Sequence, residues 1–233
     1  MTQALIVKTG SALPELKAAR GDYEDWIAEG LGLAGVDVWD AVADDPPSLT
    51  GVRGVVVTGS SALVTDREPW SVRATDWLRE AVGAGLPTLG ICYGHQLLAD
   101  ALGGKVGTNA KGREMGTIEV KALPEAKEDR LFGPLPRRWT MQSSHRQSVI
   151  ELPAGATRLA SNAHDPNQAV CFGPSAWGVQ FHPEWDDDVI RAYLQSRVKV
   201  LEEEGLDAAG LIASVEPSPL GPVLLARFGA LIR

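Results

Sequence analysis

The chain has 233 residues, of which 44% are hydrophobic and 22% are charged, a composition typical of folded globular proteins that excludes the disordered and fibrous classes. Its 22 Lys and Arg against 30 Asp and Glu give a formal net charge of −8, which argues against a nucleic-acid partner because phosphate binding normally needs a cationic face. The sequence has two cysteines, no signal-peptide pattern and no apolar run of the roughly 18 residues that a bilayer span needs, so we expect a cytoplasmic protein with no membrane partner.

The first hundred residues alternate short apolar runs with longer helix-like segments, the pattern of parallel strands joined by crossover helices. Strands are predicted at 4–8, 36–39 and 54–58, and helices at 14–32 and 68–84. The segment 86–104 then has the pattern of a strand, a tight turn and a helix that is ended by paired glycines.

The second half of the chain has a different pattern. Residues 115–181 contain short β-like runs separated by turns, which predict antiparallel strands at one edge of the sheet. From 186 to 233 the spacing is helical, and a Pro/Gly interruption at 216–222 splits off a short final helix. The predicted fold class is three-layer α/β/α, with a mostly parallel twisted sheet, antiparallel edge strands and a C-terminal helical tail. We expect one domain over 1–185, with 186–233 packed on it as a helical extension.

The segment from Gly90 to Gly94 has the form G-x-C-x-G between a predicted strand and a predicted helix, the cysteine counterpart of a nucleophile elbow. Small residues let the strand and helix backbones approach each other, and Cys92 then lies at the carboxyl end of the strand, facing a crevice. The N-terminus of the following helix favours thiolate over thiol. The pattern therefore favours a nucleophile over a buried structural cysteine.

A cysteine nucleophile needs a base. The candidates are the four histidines of the sequence, His95, His145, His164 and His182. His182 follows an apolar strand-like run, and Pro183 then forces the chain out of the strand. Glu184 is placed to accept a hydrogen bond from the imidazole, as the third member of a triad does. We expect Cys92, His182 and Glu184 to be the catalytic residues.

The remaining histidines have other expected roles. His95 lies inside the helix after the elbow, where packing is usual, and His164 lies in a polar loop, where it is solvated. His145 follows a strand-like run and either lines a pocket or caps its loop. No further ligands stand at a recognisable metal-site spacing, so we expect no metal and no cofactor.

Together, GICYGHQ at 90–96 and HPE at 182–184 resemble the class I, or triad-type, glutamine amidotransferase family. The resemblance covers most of the chain and is greatest to stand-alone members related to the amidotransferase domain of guanosine monophosphate synthetase. It implies a flavodoxin-like class I amidotransferase fold over 1–185. It also implies that Cys92 is the nucleophile, that His182 is the general base and acid, and that Glu184 orients His182.

The resemblance implies further site residues. One oxyanion-hole donor would come from the turn after the 54–58 strand, at Gly59 or Ser60, and the other from the backbone N–H of Tyr93. Each such donor stabilises the transition state by about 3 kcal/mol. The implied substrate-binding residues are Gln96, Ser143, Ser144, His145, Glu114 and Gly116.

Two segments depart from the family pattern. The sequence HRQ at 145–147 stands where synthetase-type domains commonly have histidine, glycine and aspartate, so contacts to the substrate amino group are expected to differ. In the oxyanion loop, GSSA at 59–62 replaces the proline and paired small residues of many relatives and keeps the glycine.

The expected reaction is hydrolysis of the glutamine side-chain amide to glutamate and ammonia through a thioester on Cys92. The expected partners are glutamine or another γ-glutamyl amide, and a separate synthetase subunit that accepts ammonia. Two alternatives stay open. One is a γ-glutamyl peptidase with the same triad, favoured by Arg146 and Gln147 and by the lack of an acceptor domain in the sequence. The other is an inactive subunit that binds a partner synthetase.

Overall fold

A nine-stranded sheet forms the centre of the structure, a computed structural model that describes residues 3–232. In chain order the strands are β1 Ala4–Lys8, β2 Val36–Asp40, β3 Val55–Val57, β4 Thr88–Ile91, β5 Lys105–Thr108, β6 Glu114–Ala122, β7 Arg138–His145, β8 Gln147–Glu151, β9 Thr157–Ser161, β10 Ala169–Gly173 and β11 Ala176–Val179. Strands β2, β1, β3, β4 and β11 lie side by side and run parallel, and β10, β9, β6 and β7 continue the sheet with antiparallel pairing. The predicted parallel sheet with an antiparallel edge is confirmed.

Helices cover both faces of this sheet. They are α1 Pro14–Arg20, α2 Tyr23–Leu31, α3 Pro69–Gly83, α4 Tyr93–Ala101, α5 Asp187–Ser196, α6 Val198–Glu203, α7 Ala208–Ala213 and α8 Leu220–Ile232. Successive side chains of a strand face opposite sides: Ala4 and Ile6 of β1 pack with α2 and α8, whereas Leu5 and Val7 pack with α3 and α4. The three-layer α/β/α prediction is thus confirmed. Within residues 3–232, no helix is long and apolar enough to cross a membrane.

The single helix predicted over 14–32 is wrong, because the chain breaks between α1 and α2. Gly21 adopts a φ of 83°, in the region that favours glycine. Asp22 then caps α2: its carboxylate accepts from the N–H of Tyr23, and the carboxylate of Asp25 accepts from the N–H of Asp22. The predictions also missed β5, which pairs with β8 in a separate two-stranded sheet.

The C-terminal tail is helical, as predicted, but its last helix is not short. Helix α8 begins at Leu220, because Pro222 fits within the first turn, where its missing N–H removes no helical hydrogen bond. Leu224 and Phe228 pack in the same core cluster as Ile6, so α8 belongs to one outer layer of the sandwich. Asp186 caps α5, and the division of the chain after residue 185 stays a prediction.

Candidate active site

Cys92 forms the turn between β4 and α4 in an unusual backbone conformation, with φ 51° and ψ −100°. Such a conformation is strained for a residue with a side chain. Gly90 and Gly94, the two glycines of the elbow, allow the backbones of neighbouring segments to approach each other closely. A Cβ on Gly94 would lie 2.5 Å from the carbonyl oxygen of Val57, and one on Gly90 would collide with the carbonyl group of Gly94. This strained strand-turn-helix arrangement is the geometry of a nucleophile elbow.

The side chain of Cys92 lies at a crevice of about 600 Å³, where the parallel strands end. The segments that follow β1, β3, β4 and β11 contribute to its lining, as expected for a ligand site at the carboxyl ends of parallel strands. The thiol itself is almost buried, and its Sγ lies 3.7 Å from the backbone carbonyl oxygen of Ser144, to which it donates.

His182 reaches the same crevice just beyond the end of β11. Its backbone N–H donates to the carbonyl oxygen of Gln142 on β7 at 2.8 Å, so a hydrogen bond connects the segment after β11 to β7. Its Nδ1–H donates to Oε1 of Glu184 at 2.7 Å, and both side chains are buried. Because Nδ1 is occupied by Glu184, Nε2 is the ring nitrogen left to meet Cys92.

The surroundings of His182 favour its protonated form. Burial alone would lower the pKa of His182, but the charges of Glu184 and Cys92 and their hydrogen bonds to the ring raise it to about 10. A protonated imidazole beside a cysteine stabilises the thiolate. The three groups can therefore supply a nucleophile, a proton donor and a group that holds the donor in place.

An aromatic wall, formed by Trp185, Tyr193 and Tyr23, continues from His182 along the crevice. The ring of His182 stacks on Trp185 with centroids 3.7 Å apart, and Trp185 stacks on Tyr193 with centroids 4.5 Å apart. The hydroxyl oxygens of Tyr193 and Tyr23 are 2.6 Å apart, which closes the wall between α5 and α2.

The predicted oxyanion-hole residues surround the elbow. Ser60 and Tyr93 line the crevice. Gly59 lies directly against Cys92 and His182, since a Cβ there would be 2.9 Å from Cε1 of His182 and 3.8 Å from Cβ of Cys92. Among residues 3–232, no carbonyl oxygen accepts a hydrogen bond from the backbone N–H of Ser60 or of Tyr93. Both N–H groups are thus available to an oxyanion.

The predicted substrate-binding residues divide into two groups. Gln96, Ser144 and His145 line the crevice, but Gln96 already uses its Nε2, which donates to the carbonyl oxygen of Gln147 and to Oε1 of Gln180. The other group lies outside the lining and consists of Ser143, Glu114 and Gly116.

Two of the residues outside the lining, Ser143 and Gly116, are paired with each other on β7 and β6. Ser143 is fully buried because its side chain leaves β7 on the face opposite to that of Ser144. On β6, a Cβ on Gly116 would point at Leu211 of α7, 3.6 Å away. We expect no direct substrate contact from the side chains of Ser143 and Glu114 or from Gly116.

Glu114 instead supports His145 from behind the crevice. Oε2 of Glu114 accepts from Nε2–H of His145 at 2.9 Å, and the opposite ring nitrogen of His145 lies 3.0 Å from the carbonyl oxygen of Gln147. Burial would raise the pKa of Glu114, but hydrogen bonds from His145, Asn162 and Gln168 outweigh it and hold the pKa below its usual value. Both ring nitrogens of His145 thus lie within hydrogen-bond distance of an oxygen, which fixes the orientation of the ring.

Comparisons with known proteins agree with this fold and place the chain in a family. The family model described as Glutamine amidotransferase class-I matches residues 22–195. The chain belongs to this family. The resemblance of the elbow and HPE segments to class I amidotransferases is thereby confirmed.

Among related sequences of this class I family, gamma-glutamyl peptidase 5 of Arabidopsis thaliana is 29% identical over 204 residues, which cover 83% of this chain and 81% of that protein. A glutamine-hydrolyzing GMP synthase of Staphylococcus carnosus is 35% identical over 149 residues, or 61% of this chain, but the chain spans only 27% of the synthase. A crystal structure of a glutamine amidotransferase from Thermotoga maritima superposes with a TM-score of 0.75 at 23% identity, over 98% of this chain and 95% of the other. At that identity the structural match shows a shared fold.

Several residues at the class I site were not found from the sequence. The aromatic wall was missed, although Trp185 directly follows Glu184 and Tyr193 belongs to the helical spacing of α5. Two arginines in the crevice lining, Arg113 and Arg197, were also missed, whereas Arg146, which lines it too, belongs to the HRQ segment that the sequence analysis singled out. His95, by contrast, is fully buried against Phe172, and burial lowers its pKa to about 3, which agrees with a packing role.

Proposed function

We propose that this class I family member hydrolyses γ-glutamyl amide bonds, with the side-chain amide of glutamine as substrate, through a thioester on Cys92. One observation carries the proposal: Cys92 and His182 line one crevice large enough for an amino acid, and Glu184 hydrogen-bonds to the ring of His182. The family match supports the amide-hydrolysing chemistry.

In the first step, the thiolate of Cys92 adds to the γ-carbonyl carbon, and the N–H groups of Tyr93 and of Gly59 or Ser60 stabilise the oxyanion. The C–N bond then breaks as His182 gives its proton to the departing nitrogen, which leaves ammonia and a glutamyl thioester. His182 next takes a proton from a water molecule that adds to the thioester. Collapse of this second intermediate releases glutamate and restores the thiolate beside protonated His182.

Removing the thiol tests the proposal. The variant Cys92→Ala should lose hydrolysis of glutamine and of γ-glutamyl peptides while its circular dichroism spectrum stays that of the wild type. Cys171→Ala is the matched control, because Cys171 does not line the crevice and its loss should leave the rate unchanged. Retained hydrolysis in Cys92→Ala would eliminate the assignment.

A γ-glutamyl peptidase is the second candidate, and the comparison with gamma-glutamyl peptidase 5 favours it. That relative aligns along most of both chains, whereas the GMP synthase aligns over about a quarter of its own length. The crevice volume is typical of sites for ligands larger than a single amino acid. Comparing kcat/KM for glutamine and for a γ-glutamyl dipeptide would separate the two substrates.

We place this chemistry in a reducing cytoplasm, which would keep Cys92 from forming a disulfide. If ammonia is used rather than released, a synthetase subunit on another polypeptide would accept it. A co-purifying synthetase that raises the kcat for glutamine would support this arrangement, and a kcat that no co-purifying protein changes would contradict it.

A further inference from the structure

Three guanidinium groups line the crevice of Cys92, although the protein as a whole carries a net charge of −8. Arg113 begins the segment that leads into β6, Arg146 lies between β7 and β8, and Arg197 ends α5. Three separate segments of the fold thus bring positive charge to one crevice.

Only one of the three arginines is held by a carboxylate. Arg113 is nearly buried and makes two hydrogen bonds to Glu204, of 2.7 Å and 2.9 Å. Hydrogen bonds from Arg113 lower the pKa of Glu204, and the charges of Arg146 and Arg197 add to this effect, so all three cations lie near one carboxylate. Asp66 also lines the crevice. Within residues 3–232, no carboxylate forms an ion pair with Arg146 or Arg197.

A series of ring contacts connects Arg197, one of the three arginines, to His182. Its guanidinium carbon lies 5.6 Å from the centre of the Tyr193 ring, in cation–π contact. Tyr193 stacks on Trp185, which stacks on His182. Arg197 therefore stands at the far end of the aromatic wall from His182.

The departing nitrogen of a γ-glutamyl substrate must approach His182 to receive its proton. In a leaving group larger than ammonia, the departing nitrogen therefore lies at His182, and the rest of the group has the aromatic wall beside it. A group that extends along this wall reaches Arg197, and a guanidinium forms strong paired hydrogen bonds with a carboxylate.

We infer that Arg197 and Arg146, with Arg113 fixed beside them by Glu204, form a subsite for a carboxylate on the leaving group. Among γ-glutamyl substrates with a leaving group larger than ammonia, the preferred one then releases an amino acid or peptide with a free carboxylate. This inference rests on the proposed hydrolysis at Cys92.

Two substrates that differ in one group test the subsite. γ-Glutamylglycine carries the leaving-group carboxylate, and γ-glutamylglycinamide lacks it but keeps the α-carboxylate of the glutamyl part. The wild type should prefer γ-glutamylglycine in kcat/KM by roughly tenfold or more, the usual effect of a hydrogen-bonded charge pair. Arg197→Gln and Arg146→Gln should each reduce this ratio several-fold.

Arg137→Gln is the matched control, since Arg137 is an exposed arginine outside the crevice and its loss changes the net charge equally. It should keep the wild-type ratio. A wild type without preference, or an arginine variant that slows both substrates equally, would overturn the inference. Equal slowing would indicate that the arginines bind the α-carboxylate instead.

Binding to Cys92→Ala separates this inference from the proposed reaction. Titration calorimetry should show tighter binding of γ-glutamylglycine than of its amide, and the added substitution Arg197→Gln should remove the difference. If the wild type hydrolyses neither substrate nor glutamine, the proposed function fails, and these titrations still decide the subsite. Equal affinities for the two ligands would reject it.

Discussion

The imidazole of His182 lies face to face with the indole of Trp185, with ring centroids 3.7 Å apart and planes 12° apart. The stack fixes the plane of the imidazole, and the hydrogen bond from Nδ1 to Glu184 fixes its rotation within that plane. Trp185 and Glu184 therefore together hold the imidazole of His182 in one orientation.

Replacing Trp185 should therefore lower turnover. We expect Trp185→Ala to reduce kcat about fivefold, because an aromatic stack contributes about 1 kcal/mol and each 1.4 kcal/mol is a factor of ten in rate. Trp185→Phe keeps a flat ring and should retain most of the activity. Steady-state kinetics on folded variants check this, and equal losses in both variants would rule out a stacking role.

Glu184 controls the charge of His182. The pKa of His182 is raised to about 10, so the stabilisation from its protonated form is complete below the ordinary value of 6.5 and is lost as pH rises through about 10. Glu184→Gln removes the strongest raising influence and should move this loss to lower pH. An NMR titration of the His182 ring in both proteins measures the shift. An unchanged midpoint would show that Glu184 does not hold the charge.

The elbow glycines should tolerate no side chain. A Cβ at Gly94 would lie 2.5 Å from the carbonyl oxygen of Val57, so we expect Gly94→Ala to lower the free energy of unfolding by about 3 kcal/mol or more. The control is Gly83→Ala near the end of α3, where a Cβ meets no atom within 4 Å, and it should be neutral or stabilising by up to about 1 kcal/mol. Urea denaturation measures both, and similar stabilities would contradict the crowding.

Asp22 should make the fold sensitive to acid. Its carboxylate accepts from Lys8 and from the N–H of Ala12, at 2.8 Å and 2.7 Å. Burial would raise the pKa of Asp22, but these hydrogen bonds hold it well below its usual value of 3.8. Its stabilisation is therefore present above pH 3.8 and is lost as pH falls below that value.

At neutral pH, Asp22→Asn should cost about 2 kcal/mol of the free energy of unfolding. The difference in the free energy of unfolding between Asp22→Asn and the wild type should become smaller in acid. Asp45→Asn, at an exposed position, is the matched control and should change little. A cost for Asp22→Asn that does not depend on pH would show that the charge of Asp22 is not what stabilises the fold.

The features that could be predicted from the sequence are those that a local sequence pattern determines. The elbow is recognisable because the G-x-C-x-G spacing, the strand and the helix are all contiguous, and Pro183 marks where the chain leaves β11. Ser143 and Gly116 lie outside the crevice lining, and the pairing of β7 with β6 that places them there is a long-range contact that local pattern does not give. The break at Gly21 was also hidden, because glycine is tolerated within helices.

The arginine subsite and the aromatic wall depend on long-range packing. Arg113 and Arg197 are far apart in sequence and meet the same crevice only because α5 and α6 pack beside the start of β6. Tyr193 is an ordinary apolar position of an amphipathic helix until α5 is placed against Trp185. No spacing in the sequence encodes these contacts.

Covalent labelling of the wild type by a chloroketone analogue of glutamine tests the central claim most directly, with the modified residue identified by mass spectrometry. Cys171 is an internal control, because its thiol donates to the carbonyl oxygen of Gly173 and burial raises its pKa. We predict a single adduct on Cys92, slower labelling in Glu184→Gln and none in Cys92→Ser. Labelling at Cys171 in preference to Cys92, or no adduct on a protein that still hydrolyses glutamine, would contradict the account.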